Sequence, residues 1–156
     1  MLRVDNPHSS VRILVVDDFE SWRRQICSIL QAHMQFCVVA EAVDGLEALQ
    51  KVRELKPDLI LLDIALPNLN GLETAKRIRQ ADHSAKIVFV SQNDDADVVR
   101  TALSNGAEGY VFKKDVNRDL LSAVEAALRG EQFVSAGVTL ARPANQKPSK
   151  KTPKLR

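Results

Sequence analysis

The sequence has few cysteines and histidines, and it has no long apolar run. Two cysteines and three histidines among 156 residues do not provide the clustered ligands of a structural zinc site. No apolar stretch approaches the ~20 residues that a membrane helix needs, so we expect no membrane insertion. The N-terminus also lacks a basic start followed by an apolar stretch. We therefore expect a cytoplasmic protein in which Cys27 and Cys37 are reduced and buried.

Two common kinds of enzyme site are also missing. The six glycines form no glycine-rich phosphate loop, which argues against a metabolic enzyme that binds an anionic cofactor. The spacing of serine, cysteine, histidine and aspartate supports neither a Ser/His/Asp nor a Cys/His arrangement. These absences exclude the usual classes of nucleophilic hydrolase.

Charge is distributed unevenly along the chain. The formal net charge is +2, but residues 142–156 contain six basic residues and no acidic one. The remainder of the chain is therefore mildly acidic. The basic tail is rich in proline and lacks apolar periodicity, so we expect it to be disordered. Such a tail either binds nucleic acid or another acidic partner, or it is a solubilising segment or a truncated linker.

Size and composition indicate one folded domain. Hydrophobic residues make up 45% and charged residues 27% of the sequence, as in soluble globular proteins. We predict a flexible lead-in over residues 1–10, a folded domain over 11–131 and a C-terminal extension over 132–156. Disorder is expected from about residue 142 onward.

Apolar periodicity predicts strands that alternate with helices. The predicted strands are residues 11–16, 37–43, 58–63, 86–91 and 109–112. The predicted helices are residues 20–33, 44–55, a third that ends near residue 80, 95–105, and a last one that Asn117 caps and that ends near Arg129. Strict alternation with short loops is typical of α/β proteins, in which helices cover both faces of a parallel sheet.

Polar residues collect at the carboxyl ends of four predicted strands. Asp17 and Asp18 follow the first strand, Asp63 the third and Lys113 the fifth, while Ser91 ends the fourth. If the strand order is 2-1-3-4-5, these strands are neighbours, and ligand sites of α/β sheets lie at this end. Grouped carboxylates need a neutralising charge, which Mg²⁺ with its preference for oxygen ligands would supply. A carboxylate in such a site is able to attack a phosphoryl group and form an acyl phosphate.

The chain resembles the receiver domain of two-component response regulators over about residues 10–130. The matching segments are VRILVVDD (11–18), PDLILLDIALPNLNGLE (57–73), IVFVS (87–91) and GAEGYVFKK (106–114). This resemblance implies a flavodoxin-like doubly wound (βα)5 three-layer sandwich with strand order 2-1-3-4-5, and a receiver domain over residues 11–131. It also implies a phosphoacceptor signalling domain, whose only reactions are its own phosphorylation and dephosphorylation, and not an enzyme.

The resemblance implies a phosphoacceptor and a metal site. Asp63 would accept the phosphoryl group. Mg²⁺ would bind the side chains of Asp18 and Asp63 and the backbone carbonyl of Ala65, with Asp17 in the same acidic pocket, partly through water.

Further roles follow from the same resemblance. Ser91 takes the hydroxyl position and Lys113 the lysine position, and both would contact the phosphoryl oxygens. Tyr110 would be the aromatic switch residue that turns inward on phosphorylation, together with Ser91. Gln92 departs from the family, which usually has Ala or Gly here. Its longer side chain would either slow entry of the phosphoryl group or slow attack by water on phospho-Asp63.

These features predict a phosphorelay protein that a sensor histidine kinase phosphorylates. Phosphorylation would change the surface of the fourth helix, fifth strand and fifth helix, which would then bind a partner or form a homodimer. Residues 106–135 are similar to receivers of the NarL/FixJ type, which continue into a LuxR-type helix-turn-helix. No such pattern follows here, so we expect a stand-alone regulator or part of a longer one. The alternatives are a pseudo-receiver that acts through protein contacts without phosphorylation, and a nucleic-acid-associated regulator that uses the tail Arg142–Arg156.

Overall fold

In the part of the chain that the structure describes, short apolar runs form six strands that pair in parallel in one sheet. The strands are β1 (Val11–Val16), β2 (Phe36–Ala42), β3 (Leu59–Leu62), β4 (Lys86–Ser91), β5 (Gly109–Phe112) and β6 (Phe133–Val134). Their order is β2-β1-β3-β4-β5-β6. This computed structural model describes residues 10–81 and 84–136, so the predictions for the first nine residues and for the tail 142–156 lie outside the described residues.

Among the described residues, five α-helices cover the two faces of the sheet. They are α1 (Glu20–Gln31), α2 (Gly45–Leu55), α3 (Gly71–Gln80), α4 (Ala96–Ser104) and α5 (Val116–Leu128). Helices α1 and α5 pack on one face, and α2, α3 and α4 pack on the other. The predicted three-layer flavodoxin-like architecture is confirmed, and the predicted order 2-1-3-4-5 is confirmed with β6 added beside β5.

Residues 13–16 of β1 are all apolar because both faces of this strand are buried. Ile13 and Val15 belong to the core below α1 and α5, whereas Leu14 and Val16 belong to the core below the other three helices. Successive side chains of a strand point to opposite faces, and here both faces are covered. Each such buried side chain contributes about 1.5–3 kcal/mol, so β1 is firmly anchored where its last residue meets Asp17.

The sixth strand was not predicted. Two residues are too few for a periodic pattern, so β6 is recognisable only by its pairing with Gly109 and Tyr110 of β5. Ser135 fixes the segment, because its backbone N–H donates to the Tyr110 carbonyl at 2.9 Å and its hydroxyl donates to Asp119 at 2.8 Å. The sheet therefore continues past residue 131, the predicted end of the domain, and the domain boundaries themselves stay a prediction.

The predicted cap of the last helix is wrong. A 3-10 turn, Lys113–Asp115, leads directly into α5, so this helix begins at Val116 with Asp115 at its N-cap. Asn117 lies inside the helix, and its side-chain oxygen instead accepts a hydrogen bond from Gln25 of α1 at 3.1 Å. A contact between two helices has replaced the local capping bond that the sequence suggested.

The cysteines occupy different environments. Cys27 lies in the core below α1, as predicted, whereas Cys37 on β2 is exposed, so the prediction of burial was wrong for it. Strand β2 begins one residue earlier than predicted, because Phe36 pairs with Val11. Both thiols are free. In the part of the chain that the structure describes, no helix has the length and apolar character to cross a bilayer.

Candidate functional site

Four neighbouring strands bring polar side chains to one end of the sheet. Asp17 follows β1, Asp63 follows β3, Ser91 ends β4 and Lys113 follows β5. All four are buried, with side chains of Asp17, Asp63 and Lys113 at most 6% exposed. The two carboxylates are held in register by the sheet, since the Asp63 backbone N–H donates to the Val16 carbonyl at 3.0 Å. The sequence prediction that these residues converge is therefore met in the fold.

The Lys113 ammonium lies between the two buried carboxylates. Its Nζ donates to Asp63 Oδ2 at 3.0 Å and lies 2.7 Å from Asp17 Oδ2. The second contact is an ion pair without hydrogen-bond geometry, so Asp17 Oδ2 is buried without a hydrogen-bond partner among the described residues. The opposite oxygens accept backbone N–H groups, Asp17 Oδ1 from Phe19 at 2.9 Å and Asp63 Oδ1 from Ile64 at 2.7 Å.

Burial is the main electrostatic influence on Asp63. It raises the pKa of this carboxyl above its usual value, because charge is disfavoured away from water, and the hydrogen-bonded Lys113 ammonium opposes the shift. The ionised carboxylate is thus stabilised chiefly by one lysine. It remains a strong acceptor for any cation or electrophile that enters beside it.

This electrostatic balance predicts that Asp63→Asn is more stable than the wild-type chain at pH 7. A carboxyl whose pKa is raised by folding binds its proton more tightly in the folded state. The contribution of Asp63 to wild-type stability therefore falls as the pH rises from the unfolded pKa, about 4, through the higher folded pKa. The advantage of Asp63→Asn should be largest above this window and smallest below it, as measured by denaturant unfolding between about pH 4 and pH 8. An advantage that grows toward acid would contradict the prediction.

Three carboxylates form a group suited to a hard divalent cation. Oxygens of Asp17, Asp18 and Asp63 lie within 4.8 Å of one another, with Asp18 exposed and the other two buried. Asp17 Oδ2 accepts no hydrogen bond among the described residues and lies 2.7 Å from Lys113 Nζ, so a bound cation would share this oxygen with the ammonium. Ala65 lines the cavity beside Asp63. All of these are oxygen donors of the kind that Mg²⁺ prefers, so the residues fit the predicted ion.

The cavity beside Asp63 has a volume of about 260 Å³. Its lining residues are Asp63, Ile64, Ala65, Ser91, Gln92, Asn93 and Lys113. The Ser91 hydroxyl accepts a hydrogen bond from the Asn93 backbone N–H at 3.1 Å. Gln92 also lines this cavity, and the effect of its side chain on access to Asp63 stays a prediction.

Tyr110 lies inward from the wall of the same cavity. Its side chain is fully buried, in edge contact with Phe112, and its hydroxyl donates to the Asn93 carbonyl at 2.6 Å. Burial raises the pKa of Tyr110 to about 12, so the phenol stays protonated and keeps donating. Asn93 thus contacts both Ser91 and Tyr110, and the role of these two as a switch stays a prediction.

Two contributors to the site were missed by the sequence reasoning. Lys113 Nζ lies over the Trp22 ring, 4.9 Å from its centroid, whereas helical periodicity over residues 20–33 predicts only that Trp22 belongs to the core. The signal available was its place in the first turn of α1, four residues after Asp18. Asn68 was also missed: its side chain donates to Asp44 at 2.7 Å and ties the loop after Asp63 to the start of α2.

Comparison with known sequences agrees with this geometry. The family model for the response regulator receiver domain matches residues 13–125. The chain is 37% identical over 127 residues to the nitrate/nitrite response regulator protein NarL of Escherichia coli (strain K12), covering 81% of this chain and 59% of NarL. It is 35% identical over 130 residues to the oxygen regulatory protein NreC of Staphylococcus aureus (strain JH9), covering 83% and 60%. The chain spans about three-fifths of the length of these relatives.

Solved structures give the same result. A two-component response regulator of the LuxR family from Aurantimonas sp. SI85-9A1 has a TM-score of 0.79 at 34% identity, over 83% of this chain and 93% of that one. The receiver domain of the putative response regulator NarL from Mycobacterium tuberculosis has a TM-score of 0.75 at 29% identity, over 79% and 99%. These matches extend over most of the described chain.

Proposed function

This chain belongs to the response regulator receiver domain family, and on that premise we propose that Asp63 accepts a phosphoryl group from a sensor histidine kinase. The observation that supports this most is the contact of Asp63 with Lys113. A buried carboxylate faces a cavity, and a single ammonium at 3.0 Å partly neutralises it. Asp17 is also buried beside Lys113, but Asp63 is the one of the two that lines this cavity.

The reaction uses Asp63 as a nucleophile. One carboxylate oxygen forms a bond to phosphorus, and the bond from phosphorus to the donor atom breaks, with the electron pair leaving on the donor. The phosphoryl group adds a charge of about −1.5 to −2 and three acceptor oxygens. Lys113 and the Ser91 hydroxyl line the same cavity, and both are able to donate to those oxygens.

The acidic group has a supporting role in this proposal. Asp17, Asp18, Asp63 and the Ala65 carbonyl would hold Mg²⁺, which when bound supplies positive charge to the transferring phosphoryl oxygens. Lys113 already neutralises part of the carboxylate charge. Asp17 and Asp63 are fixed by backbone hydrogen bonds, so the chain keeps their oxygens oriented for this use.

The change at Asp63 would reach the surface through Asn93. The Ser91 hydroxyl accepts from the Asn93 N–H, and Tyr110 donates to the Asn93 carbonyl. A shift of Ser91 toward the phosphoryl group would therefore disturb the Tyr110 hydrogen bond. We propose that this biases two pre-existing states of the surface formed by α4, β5 and α5. Because β6 lies beside β5, a partner or second copy on this surface would meet Phe133 as well.

Intact-mass measurement after incubation with Mg²⁺ and acetyl phosphate tests the proposal. We expect the wild-type chain to gain one phosphoryl group. Asp63→Asn, and the wild-type chain with a chelator, should gain none. Asp63→Asn is a sharp control, because it is expected to be folded and at least as stable as the wild-type chain. A gain that persists in Asp63→Asn would show that Asp63 is not the acceptor.

The Gln92→Ala variant distinguishes restricted access to Asp63 from an Asp63 that does not accept a phosphoryl group. If the wild-type chain gains no mass but Gln92→Ala does, the glutamine side chain restricts access and the assignment of Asp63 stands. If neither gains mass while Gln92→Ala still binds Mg²⁺, the phosphoacceptor role is rejected in favour of a pseudo-receiver that acts by protein contact. Gel filtration of the phosphorylated sample then addresses dimerisation, which identical elution with and without the phosphoryl group would contradict.

A further inference from the structure

Lys113 has a third close partner besides the two carboxylates. Its side chain is 5% exposed, and its Nζ lies 4.9 Å from the centroid of the Trp22 ring. A cation within about 6 Å of an aromatic face is attracted by the ring quadrupole, and tryptophan gives the strongest attraction of the aromatic side chains. The ammonium is therefore held by Asp17, Asp63 and an indole face at once.

Trp22 borders a cavity that Lys113 also lines. It is half-buried in the first turn of α1, and it packs at the border of the core below α1 and α5. This second cavity, of about 270 Å³, is lined by Trp22, Gln92, Asp94, Phe112, Lys113 and Lys114. The indole and Lys113 thus form part of one cavity wall, and Lys113 also lines the cavity that contains Asp63.

The indole contact differs from the two ion pairs in one respect. The attraction of Lys113 to Asp63 depends on the charge and position of that carboxylate, both of which change when a phosphoryl group is added. The attraction to a neutral aromatic face does not depend on Asp63. Lysine is a compact charge on a flexible four-carbon stem, so a partner that is unaffected by the reaction keeps it in place throughout.

We propose that Trp22 is a positioning residue for phosphoryl transfer, because its indole face holds the Lys113 ammonium where it meets the phosphoryl oxygens on Asp63. This rests on the proposed function of Asp63. The indole does not touch the reacting atoms in this proposal. It acts through Lys113 alone, so its removal should alter the rate of transfer and not the half-saturating concentration of the donor.

Single-turnover phosphorylation by acetyl phosphate, followed by intact mass, measures this effect. Trp22→Leu keeps an apolar side chain and removes the aromatic face, and we expect its maximal rate to fall roughly two- to thirtyfold with little change in half-saturation. Trp22→Phe, which restores a weaker aromatic face, should recover part of the rate. Equal rates for the wild-type chain and Trp22→Leu would overturn the proposal.

A stability-matched control separates positioning from packing. Ile29 lies on the same helix and packs on the same core without contacting Lys113. Ile29→Ala should lower the melting temperature at least as much as Trp22→Leu and leave the maximal rate near that of the wild-type chain. If Ile29→Ala slows transfer as much as Trp22→Leu does, Trp22 acts only by supporting the fold, and the proposal fails.

Fluorescence gives a readout that does not require the reaction. Trp22 is the single tryptophan of the chain, so selectively excited emission reports on the surroundings of this one indole. Lys113→Met should change the emission intensity, whereas Lys114→Met should not, although Lys114 lines the same cavity. Unchanged emission in Lys113→Met would overturn the contact. If neither the wild-type chain nor Gln92→Ala takes up a phosphoryl group, the proposed function is rejected, whereas normal wild-type uptake with unaltered Trp22→Leu kinetics rejects only the positioning role.

Discussion

Lys113→Met is expected to lower the free energy of unfolding by about 3–5 kcal/mol at pH 7. The substitution removes the only ammonium in contact with Asp17 and Asp63 among the described residues, and it leaves two buried carboxylates close together. Loss of one partner of a buried pair is costly because the other keeps its desolvation penalty. Denaturant unfolding at constant ionic strength measures the difference. It would be a large fraction of the 5–15 kcal/mol that stabilises a typical domain.

The pH dependence of this loss identifies its cause. Removal of Lys113 takes away the interaction that lowers the Asp63 pKa, so this pKa rises further above its usual value. Stability of Lys113→Met should therefore fall as the pH rises through that higher pKa, and it should approach the wild-type value in acid. Lys114→Met is the matched control, since this neighbouring side chain is exposed and its loss should change stability by about 0.5 kcal/mol or less. A loss of equal size at all pH values would indicate lost packing instead.

Gly71→Ala is expected to have the second largest effect. A Cβ at this position would lie 2.0 Å from the Asp63 carbonyl oxygen and 2.8 Å from the Asp63 carbonyl carbon. Both are backbone atoms, so the loop after β3 or the start of α3 must move. We expect a loss of about 1–3 kcal/mol or more, and reduced phosphoryl uptake because the displaced residue is Asp63 itself. Thermal unfolding and intact mass of the same sample measure the two effects.

Gly130→Ala is the control for glycine substitution as such. Gly130 has a φ of +80° and nothing within 4 Å of an added Cβ, so alanine there is strained by its backbone conformation alone. Gly71 differs in both respects: its φ is not positive, and backbone atoms occupy the space that an added Cβ would need. Gly130→Ala should be modestly less stable and take up the phosphoryl group normally. If Gly71→Ala is also only modestly less stable and takes up the phosphoryl group normally, the close approach of Gly71 to the Asp63 carbonyl has no consequence for the site.

The positions of the four strand-end residues could be predicted because they depend on simple rules. Runs such as Leu59–Leu62 are apolar throughout, which indicates a strand covered on both faces. Alternation of strands and helices then places the ends of neighbouring strands together. Asp63 and Lys113, which are far apart in sequence, were expected to meet for this reason, and in the structure they do.

Other features depend on contacts that the sequence pattern does not contain. The Trp22 ring reaches Lys113 because of the way α1 lies on the sheet, and apolar periodicity alone reports only that Trp22 faces inward. Asn117 was predicted as a cap from its residue type, whereas a 3-10 turn, Lys113–Asp115, leads into α5, which already begins at Val116. In each case a tertiary contact or a turn geometry, and not local propensity, decided the outcome.

The pairing of β6 with β5 affects how short a fragment of this chain is able to fold without aggregating. The family match ends at residue 125, inside α5. A chain shortened to that point would leave β5 as an exposed edge strand. The Phe112 N–H would also lose its acceptor, the Ser135 hydroxyl, which lies 3.1 Å away. An exposed edge strand presents unpaired backbone N–H and C=O groups, with which a second chain is able to pair. The sequence after α5 therefore protects against aggregation, and a soluble fragment should extend through Ser135.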